Sequence, residues 1–194
     1  MTHFTRSLVA ATLLASTAAA FAAAPMVKSQ APGYYRTMVG DFEVTVLSDG
    51  TVDLPMDKLL HEKPARLQGA LSKHFLKAPV ETSVNTFLIN TGSKLVLVDT
   101  GAGGLFGPTL GKLLGSLKAA GYQPEQVDEI YITHLHPDHV GGLVSADKPA
   151  FPNAVVRADK HDADFWLSKA KQDAAPEQAK GFFQGAQASL AAYA

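Results

Sequence analysis

THLHPDHVGG, Thr133 to Gly142, places three histidines and an aspartate within six consecutive positions. His134, His136, Asp138 and His139 all carry side chains that ligate metal ions. The residues before them, Val127 to Thr133, read as a short buried strand. In an extended chain side chains alternate, so His134 and His136 point the same way and can share one cation. Pro137 halts the strand and fixes a turn. Asp138 and His139 emerge from that turn one step displaced, within reach of a second cation. Imidazole and carboxylate suit zinc, and also manganese, cobalt or iron. Two such ions about 3.5–4 Å apart can share a hydroxide whose pKa falls toward neutrality, with Asp138 helping to position it. A scatter of surface histidines is the alternative. At this His and Asp content the pattern arises by chance in roughly one such chain in two thousand.

Working outward, Thr82–Asn90 and Lys94–Thr100 flank Thr91-Gly92 and predict a hairpin. The second of these strands, KLVLVDT, has a continuous apolar centre and is expected to be covered on both faces. GAGG then turns the chain. Pro108 suits a first helical position, and Leu110, Leu113, Leu114 and Leu117 follow at helical spacing up to a capping Gly121. Further upstream, DFEVTVLS alternates as a strand with one covered face. Asp49-Gly50 is a hairpin signal, with TVDLPM as the return strand. Leu67, Leu71, His74 and Phe75 recur at helical spacing after Pro64. Downstream, 154–158 predicts a strand, and 159–169 and 176–192 predict helices. Strands alternating with helices argue for a layered α/β domain.

The chain ends supply the remaining bounds. MTHFTRSLVAATLLASTAAAFAAA has the charged, apolar and small-residue order of a secretory signal peptide, with cleavage expected after Ala22. Its apolar run is too short for a membrane anchor. Export, into a bacterial periplasm, is therefore the expectation. Residues 23–40 read as an extended arm and 41–194 as the domain. Of the whole chain's 17 bases and 18 acids, cleavage removes Arg6 alone, leaving 16 against 18. That near balance gives no reason to expect a nucleic-acid partner. With no cysteine present, any metal site must be built from His, Asp and Glu.

H-x-H-x-D-H after a buried strand resembles the signature of the metallo-β-lactamase-fold hydrolases. LVDTG at 97–101 resembles that superfamily's second marker. Within the fold, APGYYR, GDFEVTVLSDGTV, NTGSKLVLVDTGAGGLFGPTLG and GYQPEQVDEIYITHLHPDHVGGL resemble its organophosphate triesterases. The likeness implies an α/β (α+β) fold, an αββα sandwich of which this chain carries the first half, and a pair of divalent metals. It implies His134 and His136 on the first ion and Asp138 and His139 on the second. A third histidine, a bridging carboxylate and a further histidine are expected from the second half of the fold. Asp99 would steady the ligands from behind, or simply close a strand-to-glycine turn. Phe106, Trp166 and Phe183 fall at the family's pocket positions, though each alone also suits core packing. His61, His74 and His161 are expected to be solvated, with His161 paired to nearby acids.

The expected reaction is in-line attack by the hydroxide on phosphorus, releasing a phenolate. Small esters, phosphotriesters or lactones are the expected partners, and a homodimer is left open. Two alternatives stand beside this: a half-domain that binds metal weakly without catalysis, and a lactonase or esterase of the same fold.

Overall fold

The computed structural model describes residues 24–193; the expected signal peptide, residues 1–22, lies outside them. The chain forms β1 (Tyr34–Val39), β2 (Phe42–Leu54), α1 (Met56–Leu59), α2 (Pro64–Lys73), β3 (Val80–Asn90) and β4 (Leu95–Val98). It continues as α3 (Leu113–Ala119), β5 (Glu129–Ile132), α4 (Pro137–Val140), β6 (Val144–Ser145), β7 (Lys148–Pro149), β8 (Val155–Ala158), α5 (Lys160–Trp166), α6 (Lys169–Ala174) and α7 (Glu177–Ala191). One six-stranded sheet runs β1-β2-β3-β4-β5-β8. Its first four strands pair antiparallel, and β4, β5 and β8 pair in parallel. The C-terminal ends of β4 and β5 lie side by side, where Asp99 and the histidine segment emerge. Among the described residues no helix is long and apolar enough to cross a membrane.

Several elements fall where the sequence places them. The Thr91-Gly92 hairpin forms between β3 and β4. α3 ends on Gly121 at φ +94°. There the Tyr122 N–H donates to the Leu117 carbonyl and the Gly121 N–H to the Lys118 carbonyl, a Schellman closure.

Four expectations are overturned. Asp49-Gly50 is not a hairpin: β2 runs straight through it with a bulge between Ser48 and Gly50, pairing with β3 on both sides. The real turn is at Gly40-Asp41, so the second part of the expected arm becomes edge strand β1. The helix starts at Leu113 rather than Pro108, because Gly111 at φ +79° breaks the run and its N–H is taken by the Asp49 side chain. Finally, KLVLVDT is covered on one face only: Leu95 and Leu97 are buried, whereas Val96 and Val98 are half-exposed.

That last point extends across the whole sheet. Leu47, Leu88, Leu97 and Ile130 face a core shared with Leu113 and Leu117 of α3 and with Leu135, Val140 and Ala186. On the opposite face the register aligns Tyr35, Val46, Phe87, Val98, Tyr131 and Arg157 in one row. Tyr35 is 70% and Phe87 43% exposed. Six strands at about 4.8 Å spacing make this face roughly 29 Å across, wide enough for an apolar patch that invites association. Phe87→Glu should therefore leave the circular-dichroism spectrum unchanged and lower both self-association in size-exclusion chromatography and binding of an apolar dye. On the core face, the Thr86 hydroxyl is buried with no hydrogen-bond partner among the described residues. Thr86→Val should raise unfolding stability by about 1 kcal/mol in urea titration, because it removes an unsatisfied polar atom.

Candidate metal centre

The strand order explains how the histidine segment is aimed. β5 ends at Ile132, and the following residues alternate: Leu135 and Pro137 are buried, while His134 and His136 are half-exposed on the outer side. Leu135 is fully buried, and its N–H donates to the Asp162 carboxylate of α5 at 2.5 Å. Pro137 opens α4 with His136 as N-cap residue; the His139 and Val140 N–H groups donate to the His136 carbonyl at 3.0 and 3.1 Å. The expected turn is thus one helical turn, which brings His139 back over His134.

The four side chains meet in pairs. The His134 and His136 rings lie 4.6 Å apart, centroid to centroid, and the His134 and His139 rings 3.9 Å apart. His139 Nε2 is 3.3 Å from Asp138 Oδ2. Among the described residues, no three His, Asp or Glu side chains are arranged about a single ion position. The donor set, three imidazoles and one carboxylate, is right in kind for divalent cations.

Asp99 sits behind this group at the end of β4, in the left-handed region at φ +62°. Its Oδ1 accepts the Thr133 N–H at 2.8 Å, and its Oδ2 accepts the Thr133 hydroxyl and His139 Nδ1 at 2.9 Å each. One carboxylate therefore ties the ends of two parallel strands to the His139 ring. With Nδ1 engaged as donor, His139 presents Nε2 outward, the tautomer a metal ligand needs. Burial alone would lower the His139 imidazole, but hydrogen bonds and charge from Asp138 and Asp99 raise it from 6.5 to about 9. Asp138 feels burial pushing it up, and its bond to His139 still brings it below the ordinary value. His136 is lowered, first by burial and then by the neighbouring His134. The His139 ring thus stands between two carboxylates, Asp99 at Nδ1 and Asp138 at Nε2, where positive charge is favoured and where a divalent cation would replace a proton at Nε2.

The expected pocket aromatics divide. Trp166 stands edge-on to His136 at 5.0 Å. Phe106 is half-exposed and lines, with Leu105, Pro137 and Phe182, an open cavity of about 440 Å³. Phe183 is only 1% exposed and packs behind Trp166 at 4.7 Å, so it supports the wall rather than lining it. Its neighbour Phe182 faces His136 at 5.4 Å, a position the sequence reading missed. Helix phase was the available signal, since only one of two adjacent residues on α7 can face the core. Asp162 was missed as well, because acids near a helix start read as solvent-facing. His161 is exposed and lies 3.3 Å from Asp159, and His61 and His74 are exposed too.

Residues 79–188 match the model of the Metallo-beta-lactamase superfamily. The chain belongs to that superfamily. Among solved structures it is similar to a hydrolase described as AbOPH in beta lactamase superfamily, 39% identical with a TM-score of 0.79 over 85% of this chain and 59% of that one. It is also similar to AidC, a dizinc quorum-quenching lactonase in complex with a product, at 31% identity and a TM-score of 0.74 over 82% and 58%. A curated relative, a Beta-lactamase-like protein 2 homolog of Caenorhabditis elegans, is 34% identical over 84 residues, 40% of this chain and 27% of that protein. The chain thus spans under two thirds of the length of each of these relatives.

The raised His139 pKa has a sign that can be checked in the chelated chain. Its contribution to stability is complete below 6.5, the ordinary value, and is lost as pH rises through about 9. Asp99→Asn, which turns one acceptor into a donor, should cost roughly 2–3 kcal/mol at pH 6 in urea unfolding. It should also flatten the decline in stability between pH 6.5 and 9 and lower the His139 pKa measured by NMR.

Proposed function

We propose that the protein is a metal-dependent hydrolase of small neutral esters, with aryl phosphotriesters of the methyl parathion type as first candidates. Four observations support this. His134, His136, Asp138 and His139 converge in two pairs, Asp99 fixes the tautomer of His139, and an aromatic wall adjoins His136. The segments from Ala31 to Leu143 resemble methyl parathion hydrolase, an organophosphate triesterase. The observation that carries the proposal is the shared Asp99 carboxylate. It leaves His139 Nε2 directed at Asp138 rather than at protein hydrogen-bond acceptors in the core.

In this reading His134 and His136 hold one divalent cation, zinc first, and Asp138 and His139 hold a second. Bound there, such ions would supply Lewis acidity to water and to the phosphoryl or acyl oxygen. The chain's own residues do the rest. Asp99 accepts from His139 Nδ1 and prevents the ring from turning. Leu135 and Pro137 anchor the segment in the core, so the outward pair keeps its spacing. Trp166, Phe182 and Phe106 offer apolar surface to an aryl group and exclude water from one side of the histidines. A nitrophenolate leaves as an anion, so no side chain has to donate a proton to it.

A lactone substrate is the second reading, favoured by the 31% identity to the lactonase AidC. A third reading, metal binding without catalysis, follows from there being two donors for each ion. Export is part of the proposal, with residues 1–22 as its signal; the protein recovered from periplasm should begin at Ala23.

The test is a metal-stripped chain, 23–194, reloaded with zinc and assayed on methyl parathion, an aryl carboxylic ester and an acyl lactone. Activity should appear with zinc, vanish with chelator, and fall by at least 1000-fold in His134→Ala and Asp138→Ala. Undiminished hydrolysis by the chelated chain would remove the proposal. Zinc uptake without turnover of any of the three substrates would establish the third reading instead.

A further inference from the structure

The Asp49 side chain is fully buried, and among the described residues it forms no ion pair. Its Oδ2 accepts the N–H groups of Ala102 and Gly111 at 2.9 and 3.0 Å, and its Oδ1 accepts that of Leu113 at 2.9 Å. Its own carbonyl accepts the Lys112 N–H at 3.1 Å. One carboxylate thus fastens both ends of the 101–112 loop to strand β2.

The other side of that loop bears on the ligand turn with no slack. The Thr100 N–H and hydroxyl both donate to the His139 carbonyl at 2.8 Å. The Gly142 N–H donates to the Gly101 carbonyl at 3.1 Å. A Cβ on Gly142 would lie 1.9 Å from the Thr100 carbonyl oxygen, and one on Gly141 would lie 2.0 Å from that of Ala102. A Cβ on Gly101, at φ +70°, would stand 2.4 Å from the Asp49 carboxyl carbon itself. The backbones are in contact across 100–103 and 139–142, and the Asp49 carboxylate closes the other side. The same loop carries Leu105 and Phe106 into the aromatic cavity.

We infer that Asp49 is a positioning residue for the candidate metal site, acting through the 100–103 backbone on the placement of His139. This rests on the metal-ligand reading of His139, but its geometric content does not depend on metal. Asp99 orients the His139 ring directly, whereas Asp49 sets where the backbone beneath that ring stands. If the loop is released, the His139 carbonyl loses its fixed partner at Thr100, and the ring shifts relative to Asp99 and His134. Neutralising Asp49 leaves three amides with a weaker and less complete acceptor, since a carboxamide offers one oxygen where a carboxylate offers two.

The test compares Asp49→Asn with the unmodified chain and with Leu117→Ala. Leu117 lies in the core on α3, which packs on β1 and β2, so Leu117→Ala lowers stability without touching the loop. The readouts are the ¹⁵N and ¹³C shifts of the His139 imidazole without metal, and zinc affinity by titration. In Asp49→Asn the His139 shifts should move and zinc should bind at least tenfold more weakly. In Leu117→Ala the melting temperature should fall while both readouts stay at wild-type values. Wild-type His139 shifts in a folded Asp49→Asn would overturn the inference. Should Asp49→Asn fail to fold, hydrogen exchange on the unmodified chain decides. The amides of Ala102, Gly111 and Leu113 should open together with that of Thr100, and exchange of Thr100 independent of those three would overturn the inference. Absence of zinc uptake by the unmodified chain would count against the metal reading alone, because the imidazole shifts still report on Asp49.

Discussion

The Asp99 carboxylate is the point on which the candidate site turns. β4 and β5 are parallel neighbours, so their C-terminal ends reach the same edge of the sheet, and the chain leaving each end is free to wander. Asp99 removes that freedom by bonding across from the end of β4 to Thr133 at the end of β5 and on to His139 one helical turn later. Its left-handed backbone turns the chain through Thr100 into Gly101, also left-handed, and the loop passes under the histidine turn. A buried acid with three donors is well solvated by the protein, so the cost of burying it is offset where it stands. The same three bonds determine which nitrogen of His139 faces outward.

The exposed apolar face and the openness of the histidine cluster follow from the same one-sided layering. Among the described residues, α3, α4 and α7 pack on one face of the sheet, the face of Leu88, Leu97 and Ile130. The four candidate ligands also come from one direction, since all lie on the segment leaving β5. A cation held by His134 and His136 alone is open on its remaining sides, as is the row from Tyr35 to Arg157. Beside that row's polar end the charges are already paired: Glu129, on the same face, accepts from Lys94, Arg157 and Tyr131, which bring its carboxyl from 4.5 to about 2. What stays open is therefore chiefly apolar surface, which can be covered without burying an unpaired charge.

How much of this was legible depended on whether a signal was local. The histidine segment was legible because donor chemistry and two-residue spacing sit in six consecutive positions. The Thr91-Gly92 hairpin and the Gly121 cap were legible for the same reason, as each needs only its own backbone geometry. Asp49-Gly50 was misread because the local signal for a hairpin is also the local signal for a bulge. What distinguishes them is β3, which pairs with β2 on both sides of the bulge, and the close approach of Thr109, whose carbonyl oxygen would lie 2.2 Å from a Cβ on Gly50; no window around residue 50 contains either. The helix start moved from Pro108 to Leu113 because Asp49 competes for the Gly111 and Leu113 amides, again from a distance. A continuous apolar run, as in KLVLVDT, states that one face must be covered and is silent about the other.

The aromatic wall shows how a family position and a physical position can part by one residue. Phe183 occupies the expected place in the sequence, yet the phase of α7 turns it into the core behind Trp166. Phe182 then takes the face toward His136, and Gly185 lets α7 lie against Leu105 and Pro137, whose side-chain atoms would be 3.2 and 3.4 Å from a Cβ there. The wall's shape is thus set by three separate supports: α7 against the ligand turn, Trp166 on α5 beside His136, and the loop carrying Phe106. α5 also holds Leu135 through Asp162, so the residue that seats the histidine segment and the residue that edges its pocket share one short helix. α5 is therefore one of the elements that set the spacing between the histidine segment and the wall. Through that helix the placement of Trp166 and the seating of the histidine segment are coupled.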